Sequence, residues 1–183
     1  MKVEKTAFEG LFVFKPNVFG DSRGYFFESF NHRLFNELTG NSIDFIQDNE
    51  SMSGYGVIRG LHYHLPPFGQ SKLVRVISGV VLDIALDLRP GSETFGQHFS
   101  ILLDAENKVQ VLIPKGFAHG YSVLSETAVF AYKCDAYYNK SSETGILFND
   151  SDLNIDWKIP EDKRIISEKD LHQRSFKDHF PYI

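Results

Sequence analysis

Two histidines, His62 and His64, stand one residue apart in a strand-like segment, and Lys72 and Asp83 follow within the same segment. An imidazole changes its charge near neutral pH, so a histidine that faces a cavity can act as a general base. Charged groups on sheet faces that also carry apolar residues need partners or a ligand, because an unpaired buried charge is costly. Segment 56–89 therefore predicts a polar pocket inside a β structure.

The alternation of side chains along a strand predicts which residues of this segment share a face. The expected groups are Ile58, Gly60, His62 and His64; Lys72, Val74 and Val76; and, after the Ser78-Gly79 turn, Leu82, Ile84, Leu86 and Leu88 opposite Asp83, Ala85 and Asp87. At least one of the two aspartates is expected to lie on a solvated or ion-paired face.

The composition limits the class of protein. A chain of 183 residues is long enough for one domain with a sizeable core. The aromatic content of 14% is high and favours β structure. A formal charge of −5 argues against a general nucleic-acid partner but leaves room for a local cationic pocket that binds a small anion.

The cysteine count and the apolar runs indicate the compartment. Cys134 is the only cysteine, so no intrachain disulfide can form, which fits a reducing environment. Residues 1–10 lack the apolar run and cleavage pattern of a signal peptide. The most apolar stretch, 80–88, is interrupted by two aspartates and is too short to span a bilayer. We expect a cytoplasmic protein that does not contact a membrane.

Short strand-like segments with turn signals between them recur along the chain, which predicts a sandwich or barrel of jelly-roll type. Besides segment 56–89, strands are expected at 7–15, 25–30, 43–49, 94–104, 108–114, 118–124 and 126–135. Asn31 and Gly40 bracket a short helix as its caps. We expect one domain over 1–183, with N-terminal strands (1–50), a barrel core (about 51–149) and a C-terminal flap (about 150–183) that contains a short helix near 167–173.

The glycine and histidine spacing resembles the two signature motifs of the cupin superfamily. The first motif runs from Gly56 to Gly79 and contains His62 and His64, and the second contains Pro114, Gly116 and His119. This resemblance implies an all-β fold, a double-stranded β-helix or jelly-roll barrel, here with short flanking helices.

Three imidazoles, from His62, His64 and His119, form a typical metal-ligand set. Against this reading, Lys72 occupies the position at which metal-binding cupins usually carry a glutamate, and Val123 replaces a frequent asparagine. An ammonium repels a divalent cation, whereas a cation that faces a cavity is suited to stabilise an oxyanion. We therefore expect no metal and no other cofactor, and a metal-dependent cupin enzyme stays as an alternative.

Longer motifs, in order along almost the whole chain, resemble those of the dTDP-4-dehydrorhamnose 3,5-epimerase family. They occupy 21–30, 46–53, 56–64, 70–79, 82–89, 105–108, 113–121 and 132–139. One short motif could arise by chance, but the set is highly specific. In this family the position of His64 is usually a glutamine, which is a departure that restores the histidine pair of metal-binding cupins.

The resemblance implies an activity, a substrate and an assembly. The activity is inversion of C3 and C5 of dTDP-4-keto-6-deoxyglucose to give dTDP-4-keto-rhamnose, a step toward dTDP-rhamnose and cell-surface polysaccharide. The implied partners are this dTDP-sugar and a second copy of the chain in a homodimer. An enzyme that inverts only C3 or only C5, and a non-catalytic module that binds nucleotide sugars, stay as alternatives.

The resemblance also implies roles for individual residues. His62 is the base, Tyr132 is the acid on the opposite face of the sugar, Lys72 contacts the keto group, and Asp170 pairs with the base. The implied substrate contacts are Arg23 and Arg59 at the diphosphate, Glu28, Gln47, Asn49 and Glu143 around the nucleotide, Tyr138 near the base, and Asp83 and His119 in the pocket. From the residues alone, the same positions also fit a core tyrosine, surface ion pairs and an exposed aspartate.

Overall fold

The computed structural model describes all 183 residues and contains fourteen strands and two short α-helices. The strands are β1 (Lys2–Lys5), β2 (Phe12–Lys15), β3 (Phe19–Asp21), β4 (Gly24–Phe26), β5 (Gln47–Gly54), β6 (Val57–His64), β7 (Lys72–Ser78), β8 (Val80–Asp87), β9 (His98–Asp104), β10 (Gln110–Ile113), β11 (Phe117–Val123), β12 (Thr127–Cys134), β13 (Glu143–Gly145) and β14 (Ile165–Ile166). The helices are α1 (His32–Thr39) and α2 (Glu168–Leu171), and a 3-10 turn spans Glu161–Lys163. None of the helices combines the length and the apolar character that crossing a membrane requires.

Two mostly antiparallel sheets face each other and form the barrel. The first sheet has the order β1-β2-β10-β7-β12-β5, and the second has the order β13-β6-β11-β8-β9, with β14 added in parallel to β6. Strands β3 and β4 form a separate two-stranded hairpin. From β5 to β12 consecutive strands alternate between the two sheets, except for β8 and β9, which pair in the second sheet. This arrangement confirms the predicted all-β jelly-roll fold.

The core lies between the sheets, and the alternation along β8 decides which side chains enter it. Ala85 belongs to the cluster between the sheets, together with Val74 and Val76 of β7. Leu82, Ile84 and Leu86 of the other β8 face, and Leu88 directly after the strand, belong to a second cluster on the outer side of that sheet. The alternation predicted for this strand is therefore confirmed.

The C-terminal tail covers the outer side of the second sheet. Trp157 is buried in the second cluster, and its indole N–H donates to the carbonyl oxygen of Phe148 at 2.6 Å. The hydroxyl of Tyr63 on β6 donates to the carbonyl oxygen of Phe180 at 2.8 Å, which attaches the last residues to the barrel. The tail is thus part of the same packed structure as the strands beneath it.

Helix α1 covers the outer side of the first sheet and has the predicted caps. The side chain of Asn31 accepts a hydrogen bond from the Leu34 N–H at 3.1 Å, and Gly40 ends the helix in the left-handed conformation. Phe35 of the helix stacks on Phe14 with ring centroids 5.3 Å apart. The expected helix between residues 31 and 40 is confirmed.

Three N-terminal strands differ from their predicted bounds. The expected strand 7–15 begins only at Phe12, because the Thr6 hydroxyl and Gly10, at a φ of 79°, form a turn before it. Strand β1 was not predicted, and it pairs with β2 along its whole length. The expected strands 25–30 and 43–49 are instead Gly24–Phe26 and Gln47–Gly54, the second being extended by its pairing with β12.

Strand β6 contains a bulge that changes which residues share a face. Its pairing with β11 shifts between His119, opposite His62, and Tyr121, opposite Arg59, so β6 holds one residue more than β11 in this interval. Ile58 consequently packs in the outer cluster, although part of it also borders the cavity that Arg59 and His62 line. The expectation that Ile58 shares a face with His62 is wrong for this reason.

We propose that the tail and the barrel unfold as one cooperative unit, and Trp157→Ala tests this. The substitution should lower the free energy of unfolding by roughly 3–5 kcal/mol, because it empties a closely packed site. Urea unfolding followed by circular dichroism measures the change, and Leu102→Ala, at a residue 57% exposed, is the matched control that should shift it little. A separate early transition of the tail in Trp157→Ala, with the barrel transition unchanged, would contradict the proposal.

Candidate active site

A cavity of about 520 Å³ opens between the two sheets and is partly covered by the C-terminal segment. Strands β6 and β11 of the second sheet form one wall, and β5, β7 and β12 of the first sheet form the other. Strand β14 and helix α2 contribute Ile165, Ile166, Ser167, Lys169 and Asp170 at its rim. The size is that of a typical small-molecule site.

The four residues predicted to be catalytic, His62, Lys72, Tyr132 and Asp170, all line this cavity. Nε2 of His62 lies 2.5 Å from Oδ1 of Asp170, across a sequence separation of 108 residues. The His62 side chain is 24% exposed and the Asp170 side chain 4%, so the imidazole keeps contact with the cavity while the carboxylate is buried behind it. The carboxylate thus fixes the orientation of the ring.

The local structure of α2 holds Asp170 in place. Ser167 is the N-cap of this short helix, and its hydroxyl accepts a hydrogen bond from the Asp170 N–H at 3.2 Å. The backbone N–H of Gly60, in the β6 bulge, lies 3.5 Å from the second carboxylate oxygen. Strand and flap thus both contribute to the position of the carboxylate.

The carboxyl group of Asp170 is ionised at neutral pH. Burial acts to raise its pKa, but the hydrogen bond and the charge interaction with His62, together with the hydrogen bonds from Ser167 and Gly60, outweigh burial and lower the pKa below its usual value. An ionised Asp170 accepts the hydrogen bond from His62, so Nε2 of the ring carries the proton. The other nitrogen, Nδ1, is then the basic one.

Tyr132 lies on β12, in the sheet opposite His62. Burial, the largest influence, raises the pKa of its hydroxyl to about 12, and the nearby Cys134, Tyr121 and Glu143 act in the same direction. The phenol is therefore protonated at neutral pH and can donate a proton. An acid on one wall and a base on the other can flank a ring-shaped ligand.

Lys72 places its side-chain amino group beside Tyr132. Its Nζ lies 5.9 Å from the centroid of the Tyr132 ring, and the salt bridges of this structure involve other lysines. Burial lowers the pKa of this ammonium, while Cys134, Glu143 and Asp83 partly offset the effect. A cation without a protein counter-ion in a cavity is available for an anionic group of a ligand.

His119 and Asp83 form a second imidazole–carboxylate pair on the wall of the cavity. His119 Nε2 lies 2.8 Å from Asp83 Oδ2, both residues are buried, and the other oxygen of Asp83 has no hydrogen-bond partner. His119 lines the cavity, and its ring stacks on that of Phe130 with centroids 6.0 Å apart and planes inclined by 25°. The two aspartates of β8 are both paired, since the buried Asp87 forms an ion pair with Arg89.

The residues expected around the nucleotide form a connected polar group beside the cavity. The Tyr138 N–H donates to Gln47 Oε1 at 3.0 Å, and its hydroxyl donates to Glu143 Oε2 at 2.9 Å. The Gln47 amide in turn donates to Asn49 Oδ1 at 3.0 Å. Lys169 Nζ lies 2.5 Å from the same Glu143 oxygen, so this group reaches the flap next to Asp170.

The two arginines expected at the diphosphate are far from equivalent. Arg59 lines the cavity, and its Nε donates to the Ser53 hydroxyl at 3.1 Å. Arg23 lies on the β3–β4 hairpin, 88% exposed and paired with Asp21. Glu28 follows this hairpin and is also exposed, where it accepts a hydrogen bond from Asn31. Neither Arg23 nor Glu28 lines the cavity of its own chain.

The histidines do not form a metal-ligand set. His62 and His119 each pair with a different aspartate, and His64 is buried without a hydrogen-bond partner. No group of three or more His, Cys, Asp and Glu side chains is arranged to hold a metal ion. The side-chain geometry therefore gives no support to the metal-dependent alternative.

Several cavity residues were not predicted from the sequence. They are Ser51 and Tyr121, joined by a 2.9 Å hydrogen bond, Phe130, Ser167 and Lys169. The alternation along β5 and β12 could have indicated Ser51 and Phe130, since each lies two residues from a predicted site residue, Asn49 or Tyr132. Lys169 adjoins Asp170, but nothing in its charged surroundings distinguishes it from a solvated lysine.

The fold and the site together define the class: a cupin-type barrel epimerase that acts on a nucleotide sugar. The model of the dTDP-4-dehydrorhamnose 3,5-epimerase family matches residues 5–178, and the chain belongs to this family.

Known members are similar over nearly the full length of the chain. The dTDP-4-dehydrorhamnose 3,5-epimerase of Shigella flexneri is 48% identical over 178 residues, which cover 97% of each chain. The crystal structure of the enzyme from Elizabethkingia anophelis matches with a TM-score of 0.94 at 55% identity, again over 97% of both chains. The Legionella pneumophila dTDP-6-deoxy-D-glucose-3,5-epimerase, in complex with dTDP-4-keto-L-rhamnose, matches with a TM-score of 0.93 at 45% identity and covers 97% of this chain and 93% of that one.

The lowered pKa of Asp170 predicts how the effect of Asp170→Asn on stability depends on pH. The native carboxylate has a lower pKa than the unfolded one, so its contribution is complete above the unfolded value of 3.8 and disappears as the pH falls through the native pKa. The loss of stability in Asp170→Asn should therefore be present at about pH 5 and shrink steadily below about pH 4. Urea unfolding of both proteins across this range measures it, and a loss that is independent of pH would contradict the assignment.

Proposed function

We infer that the chain is an epimerase that inverts C3 and C5 of dTDP-4-keto-6-deoxyglucose and yields dTDP-4-keto-rhamnose for dTDP-rhamnose synthesis. The observation that carries this inference is the placement of the His62–Asp170 pair and of Tyr132 on facing sheets of one cavity. Family membership and the similarity to an enzyme with dTDP-4-keto-L-rhamnose bound support the choice of substrate.

The chemistry requires a base, an acid and a stabiliser of negative charge. The C4 carbonyl makes the hydrogens on C3 and C5 acidic, and removal of either one gives an enolate. His62 takes the proton at Nδ1, while Asp170 holds the protonated Nε2 and stabilises the imidazolium that forms. Tyr132 returns a proton to the carbon from the opposite face, so the configuration is inverted. Each positioned proton-transfer group typically contributes about 10²–10⁴ in rate.

Lys72 stabilises the enolate oxygen. Its ammonium forms no salt bridge, lies near Tyr132 and faces the cavity, so it is free to approach an oxygen at C4. Loss of one such donor typically lowers the rate by about 10²–10³. The Asp83–His119 pair, buried on the same wall as His62, is suited to hydrogen-bond a hydroxyl of the sugar.

The rest of the substrate lies toward Arg59, Lys169 and Tyr138. Arg59 presents its guanidinium to the cavity and binds the diphosphate, since it is already oriented by Ser53. Tyr138, with Gln47, Asn49 and Glu143 around it, receives the thymine base. We also propose that the enzyme works in the cytoplasm, a location that the buried, unbridged Cys134 fits.

Proton exchange with solvent tests the reaction and the two roles. In heavy water, the wild-type protein should incorporate deuterium at both C3 and C5 of dTDP-4-keto-6-deoxyglucose and form the rhamno product, as followed by NMR. His62→Ala should lose exchange at both carbons. Tyr132→Phe should still exchange but form product about 10²–10⁴ times more slowly, since the proton then returns from the original face.

Two control variants make the same types of substitution at exposed positions. Tyr137→Phe and His172→Ala change exposed residues that lie close in sequence to Tyr138 and Asp170, and both should leave exchange and product formation unchanged. Exchange at a single carbon in the wild-type protein would reassign it to the enzymes that invert only C3 or only C5. Binding of the sugar nucleotide without any exchange would instead favour the non-catalytic module.

We propose further that the enzyme is a homodimer in which the β3–β4 hairpin reaches the site of the partner. The hairpin exposes Phe19, Tyr25 and Phe26 at 65%, 60% and 71%. An isolated two-stranded hairpin is only marginally stable in water, so exposed aromatics on it favour burial against another surface. Arg23 and Glu28, which do not line their own cavity, would then contact the nucleotide bound by the second copy.

Mixing two defective variants tests the shared site. Arg23→Ala should raise KM for the sugar nucleotide about tenfold or more, because a hydrogen bond to a charged group contributes roughly 1.5–3 kcal/mol. Arg33→Ala, at an arginine that is 86% exposed, should not change KM. A mixture of Arg23→Ala and His62→Ala proteins, refolded together and assayed at low substrate concentration, should regain activity, because one site of each mixed dimer is intact. No gain on mixing, although mixed dimers form, would contradict the proposal.

A further inference from the structure

His64 is buried beside the active site, but neither of its ring nitrogens has a hydrogen-bond partner. The residue is 5% exposed, and both nitrogens are enclosed. A buried polar atom without a partner costs free energy, and native proteins contain few of them. The contribution of His64 must therefore come from the ring itself and not from its hydrogen bonds.

The ring of His64 packs edge-to-face against Tyr138. The two ring centroids are 5.5 Å apart and the ring planes are inclined by 87°, which is a preferred geometry for aromatic pairs. His64 also pairs with Glu143 across strands β6 and β13, and Glu143 accepts the hydrogen bond from the Tyr138 hydroxyl. The histidine thus contacts both Tyr138 and the strand position that anchors it.

Tyr138 is exposed but held at three points. Its backbone is bound by Gln47, its hydroxyl by Glu143, and its ring by the ring of His64, yet 52% of the residue is open to solvent. An exposed aromatic ring in a fixed orientation is suited to stack on a planar ligand, because nucleobases stack favourably on aromatic side chains. The hydrogen bonds to Gln47 and Glu143 hold the two ends of the residue, whereas His64 contacts the ring itself.

We propose that His64 is a positioning residue for nucleotide binding, whose ring holds Tyr138 in the orientation that stacks on the thymine of the substrate. The inference rests on the proposed function, because it takes this base as the ligand of Tyr138. His64 itself does not touch the substrate. It acts through the aromatic ring that does.

The electrostatic surroundings of His64 agree with a role for an uncharged ring. Burial, followed by the positive charge of Lys72, lowers the pKa of His64 to about 4; Lys169 and His62 add to this effect and Glu143 opposes it. The ring is therefore neutral near pH 7 and adds no charge next to Lys72. A phenyl ring of similar size should then replace it.

The test measures binding of thymidine diphosphate alone by calorimetry near pH 7, together with kcat and KM. His64→Ala should weaken this binding and raise KM by about tenfold, a coupling typical of residues in contact, with kcat within about twofold. His64→Phe should bind within about twofold of the wild-type protein. His64→Leu fills the space without an aromatic ring; it should behave like His64→Ala and replaces that variant if the alanine protein does not fold.

A double-mutant cycle with Tyr138→Ala separates an effect of His64 that acts through Tyr138 from a loss of binding that is independent of Tyr138. If His64 acts through Tyr138, His64→Ala should not weaken binding further once Tyr138 is alanine. Independent, multiplicative losses would overturn the proposal, and so would a fall in kcat with unchanged affinity, or a His64→Phe protein as weak as His64→Ala. Calorimetry needs no turnover, so a wild-type protein that binds thymidine diphosphate without epimerising the sugar would refute the proposed reaction alone. A wild-type protein that does not bind thymidine diphosphate would overturn the positioning role as well.

Discussion

The close approach of β6 and β11 at Gly60 and Gly120 is the constraint on which the active site depends. A Cβ on Gly60 would lie 2.6 Å from the Gly120 Cα, and the φ of Gly60 is +118°, so no other residue fits without displacing backbone. The bulge formed here turns both Arg59 and His62 toward the space between the sheets. Without it, regular alternation would send one of them to the outer, apolar side.

The C-terminal segment pairs with the same strand and adds Asp170 to the site. Strand β14 adds to the same strand, β6, through Ile165 opposite Val57 and Ile166 opposite Ile58, and α2 follows directly. This pairing places Asp170 next to His62, and the backbone N–H of Gly60, in the bulge, lies close to the Asp170 carboxylate. His62, Asp170 and Arg59 are thus all placed relative to one irregular strand.

Local signals in the sequence predicted the parts of the fold that depend on local interactions. Asn31 and Gly40 cap α1 through contacts within a few residues, and the alternation of β8 follows from burial of one face and the lining of the barrel by the other. Strand β1 was missed because Lys2–Lys5 carries mostly charged side chains and is held by its pairing with β2. The assignment of Ile58 failed because the bulge depends on contact with Gly120, far along the chain.

The residues of the site likewise divide into those that local sequence patterns indicate and those that depend on distant contacts. Lys72 and His62 stand out by charge on strands with apolar neighbours, but nothing local marks Asp170, whose partner lies 108 residues away, and only the family motifs pointed to it. Burial of His64 without a hydrogen-bond partner also depends on packing between distant segments, which a pattern of residues does not encode. Arg23 and Glu28 are recognisable as motif residues, yet their distance from the cavity is a property of the folded chain.

One oxygen of Glu143 receives both the Tyr138 hydroxyl and the Lys169 ammonium, and Lys169 is the immediate neighbour of Asp170. Tyr138 and the segment that carries Asp170 therefore share Glu143 as an anchor. Under the proposed function this is a linkage: stacking of thymine on Tyr138 and the placement of Asp170 beside His62 favour each other through Glu143, and by reciprocity they do so by the same free energy. In that proposal the nucleotide, which takes no part in the proton transfers, contributes to the alignment of the groups that carry them out.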